Sequence, residues 1–332
     1  MAGRLAARRR AGARPLTSGS ACRPGRSSRS GAAGARRTLA TSGAVAYVPP
    51  VRLGRWELSS VVDATFALDG GAMFGTVPRT LWERRIAPDA RNRIPLAARC
   101  LVAVDRDAGR VVLVDDGLGE KWDAHRRDLY GVSASDGLDA GLARLGVTRD
   151  DVTDVLLTHL HIGHAGGTTR RGPGGALELA FPRATVHLQR RAWHWAHAPS
   201  EKDAGSFLAE DFELLRHSDQ LHLVDGEAEL FPDVELIVSE GHAVAQQLPR
   251  FHGDGTHLTF CGDVIPTHAH LAPGWITAYD LFPITTVEEK KVLLAEALED
   301  DGVLFLEHDG AMAACRLREE EGEPVFREAV EV

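Results

Sequence analysis

The sequence predicts an α/β sandwich with a metal site at one edge, and two observations support this. Short apolar runs typical of strands alternate along the chain with segments of helical spacing. Four of these strand-like runs end in residues that can bind a metal, namely His159 with His161, His242, Asp263 and His308. Strand ends of one layer can converge at one edge, where rigid elements hold ligands well. We therefore expect these side chains to lie close together.

The segment Thr158–Gly167 contains three histidines within six residues and directly follows the apolar run 155–157. A His-x-His pair at a strand end points both imidazoles to one side, because strand side chains alternate with period two. Imidazole is a common metal ligand, and Zn²⁺ accepts it readily. The glycines after His164 allow a tight turn. Three surface histidines on a glycine-rich loop are the less favoured interpretation.

Length and charge restrict the function further. The 332 residues suffice for one large domain or two ordinary ones, and no apolar run reaches the eighteen residues of a membrane span. Twelve of the 38 basic residues fall within residues 1–55, so the rest of the chain holds 26 basic against 47 acidic residues. This acidic part argues against a nucleic-acid partner. The four scattered cysteines form no Cys-x-x-Cys pair, which favours a reduced compartment.

Residues 1–45 are rich in Ala, Arg, Gly and Ser, and we expect them to form a disordered tail before a domain at 46–332. Three interpretations of this tail stay open: an organelle transit peptide, a weak twin-arginine export signal, or an artefact of the assigned start site. The last is narrowly favoured, so the expected location is cytoplasmic. Organelle targeting or export would follow from the other two.

The expected elements begin near Pro49. Before the histidine segment we expect a strand at 56–62, an anchored loop at 70–82, a hairpin of strands 100–104 and 110–114, and a helix at 137–145. After it we expect strands at 184–188, 234–238, 257–261 and 303–306, and helices at 189–197, 207–216 and 287–298. Lys290 and Lys291 should lie on the exposed side of the last helix. His194 and His197 are expected mostly to pack or face solvent.

The segment His159-Leu160-His161-Ile162-Gly163-His164 resembles the signature His-x-His-x-Asp-His of the metallo-β-lactamase superfamily. The four strand-end motifs follow the order found in that superfamily, from about Pro49 to the C-terminus. The resemblance implies a four-layered αββα sandwich. The sequence departs from the signature at Gly163, where the family has an aspartate that binds the second metal.

The resemblance extends to the branch of YtnP-type lactonases, which are associated with hydrolysis of N-acyl-homoserine lactones in quorum quenching. It rests on the segments 71–78, 81–82, 262–270, 275 and 278–280. A second departure surrounds His242. The family tends to have Gly-His-Ser/Thr-x-Gly-His, and this chain has Gly241-His242-Ala243-Val244-Ala245-Gln246, which keeps the first histidine and replaces the Ser/Thr, the second glycine and the second histidine.

By this resemblance each functional residue has an expected role. His159, His161 and His242 would bind the first metal, Asp263 would bridge both metals, and His164 and His308 would bind the second. Asp263 and Tyr279 are the expected catalytic residues, with Asp280 as an alternative for positioning substrate or donating a proton. The expected substrate-binding residues are Met73, Phe74, His268 and His270.

The resemblance also implies one or two Zn²⁺ ions per chain, with iron, manganese and cobalt open. Because Gly163 supplies no ligand, we expect a weak second site or a substitute ligand. The candidates for the substitute ligand are His268, His270 and a water molecule above Gly163. For both histidines, a supporting or gating role is the preferred alternative.

A metal-dependent hydrolase of a small-molecule lactone or ester is therefore the leading hypothesis, with attack by metal-bound hydroxide on the carbonyl. An impaired pseudoenzyme or binding domain on the same fold is the second. A phosphotriester or aryl-ester hydrolase is the third, because one fold supports many chemistries. The sequence is compatible with a homodimer.

Overall fold

The structure, a computed structural model, describes residues 49–133 and 137–332. The expected tail at 1–45 lies outside these residues, and the domain boundary stays a prediction. Within the described residues, the nine strands of the N-terminal half are β1 Val51–Leu53, β2 Trp56–Asp69, β3 Arg93–Asp105, β4 Arg110–Val114, β5 Asp154–Leu156, β6 Thr169–Arg171, β7 Leu177–Leu179, β8 Thr185–Gln189 and β9 Leu221–Val224. The later strands are β10 Ala228–Phe231, β11 Val234–Ser239, β12 Gln246–Gly253, β13 Thr256–Phe260, β14 Val303–Phe305, β15 Ala314–Glu320 and β16 Glu323–Val330.

These strands form two large sheets. The first has the order β1-β2-β3-β4-β5-β8-β9, and the second runs in sequence order from β10 to β16. The pairs β4–β5, β5–β8 and β8–β9 are parallel and form one side of the first sheet, whereas β13–β14 is a parallel pair between antiparallel neighbours in the second. Strands β6 and β7 form a separate hairpin. The predicted hairpin is present, with Leu101 of β3 paired to Val114 of β4.

The described helices are α1 Gly70–Phe74, α2 Arg79–Trp82, α3 Ala124–Leu129, α4 Gly137–Arg144, α5 Arg190–His197, α6 Ala209–Phe212 and α7 Pro283–Glu299. Helix α7 begins with Pro283 in its first turn, where a missing backbone N–H costs nothing. The predicted helix at 207–216 divides into α6 and a 3₁₀ segment, Glu213–His217. None of the described helices has the length and apolar character needed to span a membrane.

Alternation along β4 shows how the layers form. Val112 and Val114 face the second sheet and pack in the cluster that also contains Phe260 and Phe305. Leu113, between them, faces the other way and packs with Leu142 of α4 and other helix residues. On the far side of the second sheet, Leu293, Leu294 and Ala297 of α7 pack against strand residues. The order helix, sheet, sheet, helix confirms the predicted αββα sandwich.

One expectation for α7 is wrong. Lys291 is exposed, but Lys290 is fully buried. Its ammonium group donates hydrogen bonds to the carbonyl oxygens of His270 at 3.1 Å and Trp275 at 2.7 Å. These partners belong to a loop outside the helix. The spacing of polar and apolar residues within the helix therefore cannot predict the contact that permits burial of Lys290. Lys290 thereby ties α7 to the loop that follows β13.

Burial lowers the pKa of Lys290 to about 7 from 10.5. Between these values the unfolded chain holds a proton that the folded chain releases, so the free energy of unfolding gains a contribution that rises with pH. We expect the stability of the wild type relative to Lys290→Met to rise above pH 7, by up to about 1.4 kcal/mol per pH unit. Urea unfolding from pH 6 to 9 measures this, with Lys291→Met as the matched control. A pH-independent difference would contradict the prediction.

Candidate metal centre

The four predicted strand ends meet at one edge of the sandwich. The segment after β5 carries His159, His161 and His164, and the segments after β11, β13 and β14 carry His242, Asp263 and the pair Glu307-His308. Asp115, directly after β4, fixes the histidine segment: it accepts hydrogen bonds from the Thr158 backbone N–H at 2.6 Å and from the Thr158 hydroxyl at 2.7 Å. Ligand-type side chains are thus mounted on the rigid ends of both sheets.

The first group consists of His159, His161 and His242, with one ring nitrogen of each within 4.8 Å of the others. All three are buried, at 2%, 6% and 1% exposure. The Nδ1 of His161 lies 3.3 Å from Nε2 of His242, so two imidazole nitrogens face each other. Nitrogen atoms oriented in this way are typical of imidazoles that share a metal ion.

The second group consists of His164, Asp263, Glu307 and His308, again with one ligand atom of each within 4.8 Å of the others. The Nε2 atoms of His164 and His308 are 3.2 Å apart. Asp263 lies between the two groups: its Oδ2 is 3.0 Å from His242 Nε2, and its Oδ1 is 2.9 Å from His308 Nε2. This is the position required of a carboxylate that bridges two metal ions.

Hydrogen bonds fix one nitrogen of most of these rings. The Nδ1 atoms of His242 and His308 lie 2.8 Å from Asp280 Oδ1 and from the Ala97 carbonyl oxygen. The Nδ1 of His164 lies 2.9 Å from Asp115 Oδ2. A carboxylate or carbonyl behind a metal-binding imidazole fixes the tautomer and frees the other nitrogen for the metal. Asp280 therefore acts behind His242 rather than in the cavity.

The donor atoms fit a divalent metal. Among the described residues, several buried atoms make no hydrogen bond, including His159 Nε2, His161 Nε2, Asp263 Oδ1 and both carboxylate oxygens of Glu307. Polar atoms buried without partners are costly unless a cation or proton satisfies them. Imidazole nitrogen with carboxylate oxygen is a donor set of zinc and related divalent ions.

The imidazoles of the site differ in how readily they take up a proton. Burial and the neighbouring imidazoles lower the pKa of His159 and His161 well below the usual value, which keeps both rings neutral. Burial opposes ionisation of Asp263, but the surrounding imidazoles outweigh it and hold its pKa well below the usual range. Burial also disfavours charge on His242, yet Asp263 and Asp280 raise its pKa to about 9. Neutral imidazole and ionised carboxylate are the forms that bind metal, so His159, His161 and Asp263 are already in that form, whereas His242 releases a proton when a metal binds.

A cavity of about 100 Å³ opens onto both groups. Its walls are mostly apolar or aromatic, formed by Phe66, Leu68, Met73, Tyr130, Ile162 and Tyr279. His161, His242, Asp263 and His308 reach its surface from the metal groups. A larger groove of about 890 Å³ is lined in part by Arg191, His194 and Phe282, and contains none of the residues of either group. The small cavity is therefore the candidate substrate site.

The structure places two expected substrate-binding residues away from the cavity surface. Met73 lines the cavity, but Phe74 is fully buried and stacked against Trp82 and His270, with ring centroids 5.3 and 4.6 Å apart. His270 uses both nitrogens within the protein: Nδ1 lies 2.8 Å from the Thr267 hydroxyl and Nε2 lies 2.8 Å from the Met73 carbonyl. Phe74 and His270 thus support Met73 from behind.

His268 is not among the cavity-lining residues either. Its Nδ1 pairs with Asp309 Oδ2, and its backbone N–H donates to the same oxygen at 2.8 Å. Neither His268 nor His270 belongs to a group of potential metal ligands among the described residues. The interpretation of both as supporting residues therefore agrees with their contacts better than a role as substitute ligands.

Gly163 has a backbone φ of +105°, a conformation that residues with a side chain rarely adopt. A Cβ atom there would lie 3.6 Å from Cε1 of His308, which is ordinary contact. Space therefore exists beside the second group, but the backbone disfavours a side chain. Glu307 was missed as a site residue in the sequence, although it ends a strand in the same way as the other ligand candidates.

Comparison with known proteins identifies the family. Residues 95–308 match the Metallo-beta-lactamase superfamily, which is more than half of the chain. The chain belongs to this superfamily, whose members bind divalent metals. The fold and the metal-type donor set both agree with this membership.

Individual relatives refine this assignment. The N-acyl homoserine lactonase AttM of Azorhizobium caulinodans is 30% identical over 130 residues, which are 38% of this chain and 43% of AttM. The alignment thus spans less than half of that relative. A probable metal-dependent hydrolase from Staphylococcus aureus superposes with a TM-score of 0.75 at 26% identity, covering 84% of this chain and 100% of that chain. AidC, a dizinc quorum-quenching lactonase, reaches 0.70 at 17% identity over 85% and 97%, a likeness in fold alone.

Restoring the family aspartate at position 163 should strain the backbone. We expect metal-free Gly163→Asp to lose roughly 1–3 kcal/mol of unfolding free energy, because φ near +105° suits glycine. Urea unfolding in the presence of a chelator measures the loss without a contribution from bound metal. Gly174→Asp is the matched control, since Gly174 is exposed, has no positive φ and would have nothing within 4 Å of its Cβ. Equal stability of the two variants would contradict the prediction.

Proposed function

We propose that the chain is a metal-dependent lactonase whose leading substrate class is the N-acyl-homoserine lactones. One observation carries the proposal: two neighbouring groups of buried imidazoles, joined by Asp263, open into a narrow cavity with apolar walls. A small neutral ester with an apolar tail fits such a cavity better than a highly charged substrate would. The similarity to the lactonase AttM supports the choice of substrate class.

Each proposed residue has a separate task. When bound, divalent metals at this centre supply Lewis acidity and lower the pKa of water. His159, His161, His242, His164 and His308 hold the metals, of which zinc is the leading candidate. Asp263, ionised between the groups, is placed to accept a hydrogen bond from the attacking water and to orient it.

The walls and Tyr279 position the substrate in this proposal. Phe66, Leu68 and Ile162 offer apolar contacts to an acyl chain, and Met73 adapts to its shape. Tyr279 is 36% exposed, and its partial burial raises the pKa of the phenol above its usual value, so the hydroxyl keeps its proton at neutral pH. A protonated phenol in the cavity can donate a hydrogen bond to the carbonyl or the leaving oxygen of the lactone.

The proposal predicts metal-dependent turnover that a chelator abolishes and added Zn²⁺ restores. We expect His161→Ala to reduce kcat/KM for N-hexanoyl-homoserine lactone at least ~100-fold, because a ligand at the cavity surface is lost. His194→Ala is the matched control, since His194 is an exposed histidine outside both groups. A pH-stat assay of lactone opening measures both.

The same assay with an aryl ester and a phosphotriester separates the remaining alternatives. Faster turnover of either compound than of any lactone would replace the proposed substrate class. Absence of turnover on all three, with metal restored, would favour a binding domain on the same fold.

Tyr279→Phe isolates the phenolic hydroxyl. We expect kcat to fall about 10- to 100-fold with little change in KM, if the hydroxyl donates mainly in the transition state. Tyr130→Phe is the control, because Tyr130 lines the same cavity and packs against Trp122. Equal, small effects in both variants would remove Tyr279 from the mechanism.

A further inference from the structure

We propose that Glu307 supplies the anionic ligand of the second metal that Gly163 cannot supply. The inference rests on the proposed metal-dependent function and adds a ligand that the family signature does not contain. Its starting point is a carboxylate that is fully buried, with neither oxygen in a hydrogen bond, beside His164 and His308. A buried carboxylate without a hydrogen bond is either protonated or satisfied by a cation, and the imidazoles beside Glu307 provide the other ligands that a metal cation needs.

The nearest basic group does not satisfy Glu307. Its Oε2 lies 3.1 Å from Nδ1 of His164, but the same nitrogen lies 2.9 Å from Oδ2 of Asp115. One ring nitrogen carries one proton and can donate to one carboxylate, and the Asp115 contact has hydrogen-bond geometry. Asp115 is itself held by Thr158, so it remains the partner of His164. Glu307 is then the surplus carboxylate of the pair.

This surplus carboxylate lies nearest to Nδ1 of His164 and within reach of the other ligands of the second group. One oxygen of Glu307 lies within 4.8 Å of a ligand atom of each of His164, Asp263 and His308. Metal–ligand bonds of about 2.0–2.2 Å put two ligands of one ion at most about 4.2 Å apart. The limit of 4.8 Å exceeds this span by about 0.6 Å, so a glutamate side chain can bring an oxygen into bonding range by a small rotation.

The position of Glu307 also suits the task. The next residue, His308, is anchored by its Nδ1 to the Ala97 carbonyl and by its backbone N–H to the Pro266 carbonyl at 3.1 Å. Glu307 therefore stands on a fixed backbone at the end of β14. Without it, the second ion would have two neutral imidazoles and a shared Asp263 oxygen. With it, an anionic ligand is restored although position 163 has none.

The experiment measures metal binding without substrate. Wild type, Glu307→Gln and Asp116→Asn are loaded with Zn²⁺ at a fixed free concentration, and metal content is determined by elemental mass spectrometry. Competition with a chromophoric chelator gives the dissociation constant of the second ion. Asp116 is the matched control: it is a fully buried carboxylate nearby whose oxygens accept from Gly167 N–H and the Thr168 hydroxyl.

We expect two ions in wild type and Asp116→Asn, and one in Glu307→Gln. In Glu307→Gln the dissociation constant of the second ion should rise more than ~100-fold. Loss of a residue that only orients a metal ligand typically costs about 10- to 100-fold, so a larger rise indicates loss of a ligand. The double variant Glu307→Gln with Gly163→Asp should recover the second ion. Two ions bound with unchanged affinity in Glu307→Gln would overturn the inference, as would a wild type that binds only one.

A stability measurement guards against misfolding. In the presence of a chelator, Glu307→Gln should be at least as stable to urea as wild type, because burial disfavours a charge at this position and glutamine carries none. A supporting role for Glu307 predicts the opposite, a metal-free variant that is less stable, and that result would overturn the inference. This outcome is separate from activity. If Glu307→Gln loses the second ion as predicted but the wild type opens no lactone, only the proposed function is refuted.

Discussion

The placement of the Asp263 carboxylate between two groups of buried imidazoles is the constraint on which the rest of the site depends. Its two oxygens face His242 on one side and His308 on the other, at 3.0 and 2.9 Å. Such a concentration of polar atoms in the interior is costly unless cations complete it. Removing these polar side chains from water costs free energy, so the rest of the fold must hold them in place. Backbone segments that are fixed by packing away from the site do this.

The two sheets provide that fixed backbone. The parallel pairs β4–β5 and β13–β14 bring Asp115, the histidine segment, Asp263 and His308 to the same edge, because parallel strands end on the same side. The close-packed cluster between the sheets, with Trp56, Phe251 and Phe260, holds the two edges at a constant separation. Apolar packing at a distance thus sets the geometry of the polar site.

Sequence reasoning predicted the layers and the convergence of the histidines at one edge, because both leave local signals: alternation in β4, and spacing in the segment 158–167. It failed where the deciding partner is distant in the chain. Lys290 was expected in solvent because its carbonyl partners lie 15 and 20 residues away. Strand β12 was missed because its residues 246–251 are all buried, so Gln246-Gln247-Leu248-Pro249 shows no alternation. Phe74 was expected to contact substrate, but it stacks on His270 behind Met73, and such a tertiary contact leaves no local signal in the sequence.

Gly163 and Glu307 illustrate the same limit at the site itself. Compared with the family signature, Gly163 indicates the loss of a metal ligand. A position-by-position comparison of sequences shows no residue that replaces it. In three dimensions position 163 is one point on the wall of a small volume, and β14 delivers a different carboxylate to that volume. What a metal requires is an anionic oxygen at bonding distance, from any part of the chain. A missing motif residue therefore indicates a missing ligand only when no other side chain can reach the same volume, and Glu307 can reach it.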